Sequence, residues 1–246
     1  MEERFDALLF DRRRCRLQLT RRVKQVASGW EDRLWLVTDE LIEVETLLPL
    51  IAAFDALGSG VPLRLTHEVL RGTWEALAEG RADLVIGATN EPPAIEGLRW
   101  FELGVVEWVF AVAPQQPLAA AAEPLPREAI ARHRAEVVAD SSRQVASRAY
   151  GVQGGQPPLA LPSMRAKIMA QRDGLGVGWL PRQRVASLLA RGELIEKQTA
   201  DPREPNVLYV AWRGEQTGRA LDWWLDQFRQ ARLAEVLVRG RDGFAG

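Results

Sequence analysis

Histidine and cysteine are almost missing from this chain, which has two His and one Cys among 246 residues. A lone Cys15 excludes internal disulfides and any multi-cysteine metal site, and fits a reducing compartment. His67 and His133 stand outside any H-E-x-x-H, C-x-x-C or acidic EF-hand pattern, so neither a metal centre nor another cofactor is expected. There is no G-x-S-x-G elbow, which leaves a Ser–His–acid hydrolase without support and no catalytic residue to name. No apolar run approaches the roughly 20 residues that span a bilayer. The opening Met1-Glu2-Glu3-Arg4 is charged and leads into an Arg cluster, unlike the apolar core of a signal peptide. These absences read as a soluble, cytoplasmic protein with no membrane partner.

What is present is ordinary in bulk and uneven in detail. Hydrophobic residues make up 47% and charged residues 26%, the balance of a folded domain with a substantial core. The net charge is only −1, yet residues 12–24 hold seven basic residues and no acidic one, leaving −8 on the remainder. A cationic arm on an acidic body suits either a nucleic-acid or acidic partner or a solvated surface run.

Past residue 30 the hydrophobic pattern alternates. Residues 33–38 predict a strand, and 45–57 place Leu47, Leu48, Ile51 and Phe54 at helical spacing before the Gly58-Ser59-Gly60 turn. Residues 63–67 predict a strand, 73–78 a helix, and 83–87 (DLVIG) the short apolar strand of a buried parallel sheet. Two strands are expected in 98–113, a proline-rich loop in 114–126, a helix near 127–133 and a strand at 136–139. Further on, 163–172 predicts a helix, 176–180 a strand, and Pro181 the first turn of another helix. Short strands at 194–196 and 206–212 then precede an amphipathic helix over 218–233. Strands alternating with single helices imply βαβ units. Two such series in tandem predict an α/β protein of two Rossmann-like lobes, with a ligand cleft at the carboxyl ends of the parallel strands. The glycines of Gly174-Leu175-Gly176-Val177-Gly178 follow a helix and enter a strand, the reverse of a dinucleotide fingerprint, so they predict a tight turn with close packing.

Several segments carry a family resemblance. Leu8-Leu9-Phe10-Asp11-Arg12 with Leu17-Gln18-Leu19-Thr20 resembles the wing end of a LysR-type winged helix-turn-helix, and Val26-Ala27-Ser28-Gly29-Trp30-Glu31 the junction after its linker helix. The run 68–77 (EVLRGTWEAL), with 80–88 (GRADLVIGA), is similar to the regulatory domain of one LysR-type subgroup. So are 138–143 (VADSSR), 174–181 (GLGVGWLP) and 220–223 (ALDW) with Trp224, and the ordered set covers about residues 26–230. The resemblance implies a LysR-type transcriptional regulator whose effector-binding domain has the periplasmic-binding-protein-like type II fold. It implies regulatory subdomain I at 31–112 with 208–246, subdomain II at 113–207, and crossings near 113–116 and 206–208. It also implies a homodimer or tetramer, and the surplus apolar residues of 45–57 suit a side-by-side pairing. Residues 1–30 are expected to be a remnant of the winged helix-turn-helix and linker, since no recognition helix fits before residue 26. DNA would be reached only through the family's helix-turn-helix, largely missing here, leaving phosphate contacts at most.

In this family the effector sits between the lobes against loops at strand ends. Carried onto this chain, those loops present Thr38, Asp39 and Glu40; His67 and Glu68; Thr89; Asp140, Ser141 and Ser142; and Ser163. Asp39 and Glu40 admit two readings: an acidic pocket wall that disfavours anions and suits a hydroxylated, cationic or heteroaromatic effector, or solvated residues near a helix start. Trp74, Trp100 and Trp179 are expected in the core more than in the pocket. Two other functions share the fold: a solute-binding protein of a transport system, which needs export, and an enzyme, which needs a strongly perturbed cleft group.

Overall fold

A strand apolar on both faces belongs in the middle of a sheet, and β1 (Leu34–Asp39) is one, with five of its six residues buried. The computed structural model of the protein describes residues 29–141, 155–214 and 218–239; the basic segment 12–24, Cys15, the wing-like residues 8–20, residues 26–28 of the junction and Ser142 lie outside them. β1 pairs in parallel with β2 (Leu63–Glu68) on one side and β3 (Leu84–Ala88) on the other. The crossovers are α1 (Leu48–Asp55), preceded by a 3-10 turn at Val44–Thr46, and α2 (Arg71–Ala78). Pro49 sits in the first turn of α1, so the helix expected over 45–57 starts only at Leu48. The sheet order is β2-β1-β3-β10-β4, with β10 (Asn206–Arg213) antiparallel to both β3 and β4 (Leu98–Val106).

The second lobe is built around β5 (Trp108–Val112), flanked antiparallel by β8 (Gly178–Pro181) and β9 (Ile195–Lys197). β6 (Ala135–Val138) and β7 (Pro158–Leu161) form a parallel pair joined to it by the Ala135–Val177 bridge. Helices α3 (Arg127–Ala131), α4 (Met164–Arg172) and α5 (Arg182–Ala190) cover these strands.

Three expectations are corrected. The strand at 108–112 was placed in the first lobe, but its backbone pairs with β8 and β9, so the chain crosses at Glu107 and not at 113–116. The pair β6–β7 contains a strand, β7, that a proline and small side chains had hidden. The helix expected over 218–233 breaks after Phe228 into α6 (Arg219–Phe228) and α7 (Ala231–Arg239). The break lets α7 lie on β4, where a Cβ at Gly104 would come within 2.7 Å of the Val238 side chain.

One apolar cluster runs through both lobes, joining Leu36, Ile42 and Leu103 to Met164, Ile168 and Leu180. At its edge Phe54 meets Trp223 at 5.3 Å and Trp224 at 5.8 Å between ring centroids. Gly174, at φ 80, ends α4, and Gly176 and Gly178 carry the chain close past β6, as the tight-turn reading expected. The start of the first lobe is tied to its end by Glu31, whose carboxylate accepts the amides of Ala220 at 2.9 Å and Leu221 at 3.0 Å in the first turn of α6. This is capping by a distant residue, which satisfies orphan donors and opposes the positive end of the helix. Glu31→Ala is therefore expected to lower stability by about 1–2 kcal/mol in urea unfolding; an unchanged midpoint would show the cap to be dispensable.

Candidate functional site

The three parallel strands of the first lobe end at one level, Thr38 of β1 lying opposite His67 on β2 and Ile86 on β3. Asp39, the last residue of β1, is buried and accepts the amides of Leu41 and Leu70, each at 3.0 Å. Burial pushes its carboxyl up to about 7, against the pull of those two amides. Leu70 is held at φ 54, a left-handed conformation rare for a bulky side chain, and this aims its amide at Asp39. Just past β3, the carbonyl of buried Thr89 accepts the Trp74 Nε1–H at 2.7 Å, and its hydroxyl accepts Asn90 Nδ2 at 3.3 Å.

Other side chains bridge the lobes. The Glu40 carboxylate pairs with His67 Nε2 and accepts the first amide of α4, that of Met164. That hydrogen bond to Glu40 holds the His67 imidazole above its usual range. Ser163 caps the same helix, its hydroxyl accepting Ala166 N at 3.1 Å. Arg184 of α5 pairs with Glu43 at 2.8 Å and donates to the Glu40 carbonyl at 3.2 Å. On the far side, Ser141 Oγ donates to Glu68 at 2.6 Å and accepts the Val69 amide at 2.7 Å, while Arg81 holds the other Glu68 oxygen at 2.7 Å. Gly72 makes this hook fit: a Cβ there would lie 2.0 Å from Ser141 Oγ.

Between these bridges lies a cavity of about 60 Å³, lined by Asp39, Leu70 and Thr89 from one lobe, Met164 and Lys167 from the other, and Arg203 on the returning crossover. The two crossovers are pinned to each other, with Trp108 Nε1 donating to Asn206 Oδ1 at 2.8 Å and the Arg203 guanidinium 3.4 Å over the Trp108 ring. A second recess of about 410 Å³ opens before Glu40 and His67, bounded by Ser163, Arg165 and Arg184.

The structure thus brings Asp39, Glu40 and Thr89 to the cavity, and Glu40, His67 and Ser163 to the recess. Thr38 lies beneath, its hydroxyl 3.4 Å from His67 Nδ1. Glu68 and Ser141 join the lobes, and half-buried Asp140 lines neither space. The solvated reading of Asp39 fails because the carboxylate is inside; Glu40 is taken up by His67 and α4. Trp74 and Trp179 are packed, Trp179 against Phe110 at 5.5 Å, while Trp100 is 47% exposed. Sequence reasoning missed Lys167 and Arg203. Lys167 left a trace: it stands on the buried stripe of α4 with Met164, Ile168 and Gln171, an anomalous place for a cation.

Behind the cavity this stripe forms a polar cluster inside the second lobe. Lys167 is 5% exposed and donates to the Trp179 carbonyl at 2.8 Å. Gln171 Nε2 donates to the carbonyls of Ala111 and Gly178, at 2.5 and 2.9 Å. Both Glu136 carboxylate oxygens and Gln171 Oε1 are buried with no hydrogen-bond partner. Burial pushes Glu136 up to about 7 and Lys167 down to about 7, each partly opposed by the charge of the other. Among the described residues, no group of three His, Cys, Asp or Glu could hold a metal ion.

This architecture has known relatives. The model of the LysR substrate binding domain matches residues 27–232. The chain belongs to that family. It is 36% identical over 227 residues to YeeY, an uncharacterized HTH-type transcriptional regulator of Escherichia coli, covering 92% of this chain and 74% of that one. The probable HTH-type regulator YhaJ of the same species is 29% identical over 246 residues, covering 92% and 82%. The full-length LTTR LysG from Corynebacterium glutamicum, solved with bound effector Arg, superposes with a TM-score of 0.62 at 19% identity, covering 93% of this chain and 75% of that one. The regulatory domain of MetR from Neisseria meningitidis gives 0.60 at 21%, covering 85% and 93%. This LysR-type protein accordingly has the periplasmic-binding-protein-like type II fold, and its curated relatives are transcriptional regulators, not enzymes. No helix among the described residues is long and apolar enough to cross a membrane.

The Glu136 environment predicts a pH signature. Its folded pKa lies above the usual 4.5, so the folded state holds the proton longer and this group's contribution to stability is lost as pH rises from about 4.5 to about 7. Glu136→Gln removes that slope while keeping shape. The variant should gain on the parent by on the order of 1–3 kcal/mol between pH 5 and pH 7.5. Chemical denaturation at the two pH values checks this, and parallel pH dependences would show that Glu136 titrates normally.

Proposed function

We propose that this LysR-type chain senses a small molecule in the inter-lobe cavity and transmits its presence as a change in lobe orientation. The observation that carries the reading is the cavity lining itself: Asp39 and Thr89 come from one lobe, Lys167 from the other and Arg203 from a crossover, so an occupant touches every part that moves. Among the described residues, the proposed division puts 31–106 and 206–239 in subdomain I and 108–197 in subdomain II, amended from the expected boundaries by the pairing of β5. Thr38, Asp39, Glu40, His67, Glu68, Thr89, Ser141 and Ser163 are proposed as effector-responsive residues, some as lining and some as lobe bridges, with Asp140 and Ser142 nearby in sequence. DNA contact is assigned to the family's helix-turn-helix, and a cytoplasmic location accompanies that role. Self-association is proposed through α1, where Leu48 remains 54% exposed beside exposed Ala52 and Ala53.

A small effector that binds only the folded state raises the apparent melting temperature. A thermal-shift screen of small polar metabolites should give at least one hit. For that hit, Thr89→Val should weaken binding by about 0.5–1.5 kcal/mol, the worth of one hydrogen bond. A hit that binds Thr89→Val and Asp39→Asn as it binds the parent moves the effector site out of this cavity.

A further inference from the structure

β4 is the last strand in the order β2-β1-β3-β10-β4, and β10 is its one strand neighbour among the described residues. A strand so placed turns a row of backbone N–H and C=O groups outward, a template on which another chain can pair. α7 packs against β4, with Val238 at Gly104, but a groove of about 780 Å³ remains beside the strand. Its lining runs through five consecutive residues, Phe101 to Val105. Successive side chains of a strand point to opposite faces, so a groove lined by all five follows the strand's edge and not one face of the sheet. Gly104 and Ala234 keep it open, one with no side chain and the other with a methyl group. None of its lining residues lines the inter-lobe cavity or the recess.

The chemistry of the groove selects its occupant. Phe101, Leu103, Phe228 and Val238 make an apolar floor, and Val105 is 46% exposed beside them. Glu102, Glu107 and Glu235 line it against one cation, Arg229. That guanidinium is bonded to Asp226 at 3.0 Å and lies 5.5 Å from the Phe101 ring. Glu107 stands 3.7 Å from Arg182, which is closer to Glu196 at 3.0 Å. Gln183 of α5 also lines the groove, and its buried Oε1 has no hydrogen-bond partner. Carboxylates around an apolar floor repel an acidic segment and attract a cationic one. We propose that β4 takes an extended peptide of a partner protein, apolar at alternate residues and basic at its ends, as a sixth strand of the first-lobe sheet. Main-chain hydrogen bonds to β4 supply the affinity, alternate side chains enter the apolar floor, and Arg or Lys meets Glu102 and Glu107. From Phe101 to Val105 the edge runs about 13 Å, four steps of about 3.3 Å, the span of a peptide of about five residues. Because β4 belongs to the first lobe and Gln183 to the second, the added strand touches both.

The test uses the full chain and end-blocked probe peptides: Arg-Val-Thr-Val-Arg, its acidic counterpart Glu-Val-Thr-Val-Glu, and the basic peptide N-methylated at either its second or its third residue. In a strand, neighbouring amides point to opposite sides, so strand addition makes only one of the two N-methyl peptides defective. Calorimetry at low salt should show the basic peptide binding at least about tenfold tighter than the acidic one. One N-methyl peptide should bind about five- to tenfold more weakly than the other. Hydrogen exchange should gain protection within residues 99–105 when the basic peptide is bound. Glu102→Lys, at an exposed position, should fold as the parent does and narrow the gap between basic and acidic peptides to about threefold or less. Equal binding of the basic and acidic peptides, equal binding of the two N-methyl peptides, protection elsewhere than β4, or an unchanged gap in Glu102→Lys each overturns the proposal. So does the absence of binding by the basic peptide at millimolar concentration. A concentration-dependent dimer in sedimentation that Val105→Arg dissociates also overturns it, because a second copy then occupies the edge.

Discussion

The parallel register that sets Thr38 against His67 on one side and Ile86 on the other makes β1, β2 and β3 release their chains at one level. Three loops then leave the sheet side by side, and whatever they carry is forced together. Asp39 is the residue that turns this convergence into a fixed wall. Its carboxylate holds the amide of its own loop through Leu41 and that of the neighbouring loop through Leu70. The left-handed Leu70 is the local cost of that arrangement, of order 1–3 kcal/mol for such backbone conformations. Such strain persists only where neighbours over-determine the geometry, and here Thr73 Oγ1 also bonds the Leu70 carbonyl at 2.7 Å.

The lobes are joined by contacts of unequal strength. On the hinge side the apolar cluster is continuous, with Leu103 and Val109 beside Met164 and Ile168, and its burial is the larger energy. At the mouth the contacts are polar: the Ser141 hook, Glu40 on α4, and Glu43 with Arg184. Each net hydrogen bond contributes about 0.5–1.5 kcal/mol, an amount a ligand of ordinary affinity can match. The small side of the balance is also tuned sterically, because Gly72 leaves room for Ser141 that no other residue would leave.

Much of the fold was legible because periodicity reports burial. The run 83–87 reads as a strand and becomes β3, fully buried; 163–172 reads as a helix with Ser163 at its start and becomes α4 with that cap. The errors share a cause. Period-based reading locates elements without their partners, so β5 was recognised as a strand and assigned to the wrong sheet; pairing with residues about 70 and 85 positions later leaves no local mark. The break between α6 and α7 was invisible because residues 229–230 contain neither Gly nor Pro; what turns the chain is the docking of Leu237 and Val238 against β4 and the core. The site was half legible. The family resemblance named the loops at the strand ends, and Asp39, Glu40 and Thr89 of those loops line the cavity. Lys167 and Arg203 sit on a helix stripe and a crossover, where topology alone predicts nothing polar.

The interior of the second lobe carries a buried carboxyl without hydrogen-bond partners, Glu136, and its position relates it to the cleft. Burying an unbonded carboxyl such as Glu136 costs more than an apolar residue of its size, and a buried ion pair gives little net stability even when well bonded. A Cβ on Gly176 would lie 2.7 Å from Glu136 Cγ and 2.8 Å from the Arg134 carbonyl, so the chain passing here has no room for a side chain. The same side chain acts through space on Lys167, which faces the cavity. With Glu136 ionised, the Lys167 ammonium is held; with Glu136 protonated, desolvation and the Arg203 charge weaken it. Glu136 does not line the cavity, so its pull toward the charged form of Lys167 is exerted from outside it. An apolar residue at 136 would stabilise the lobe and remove that support.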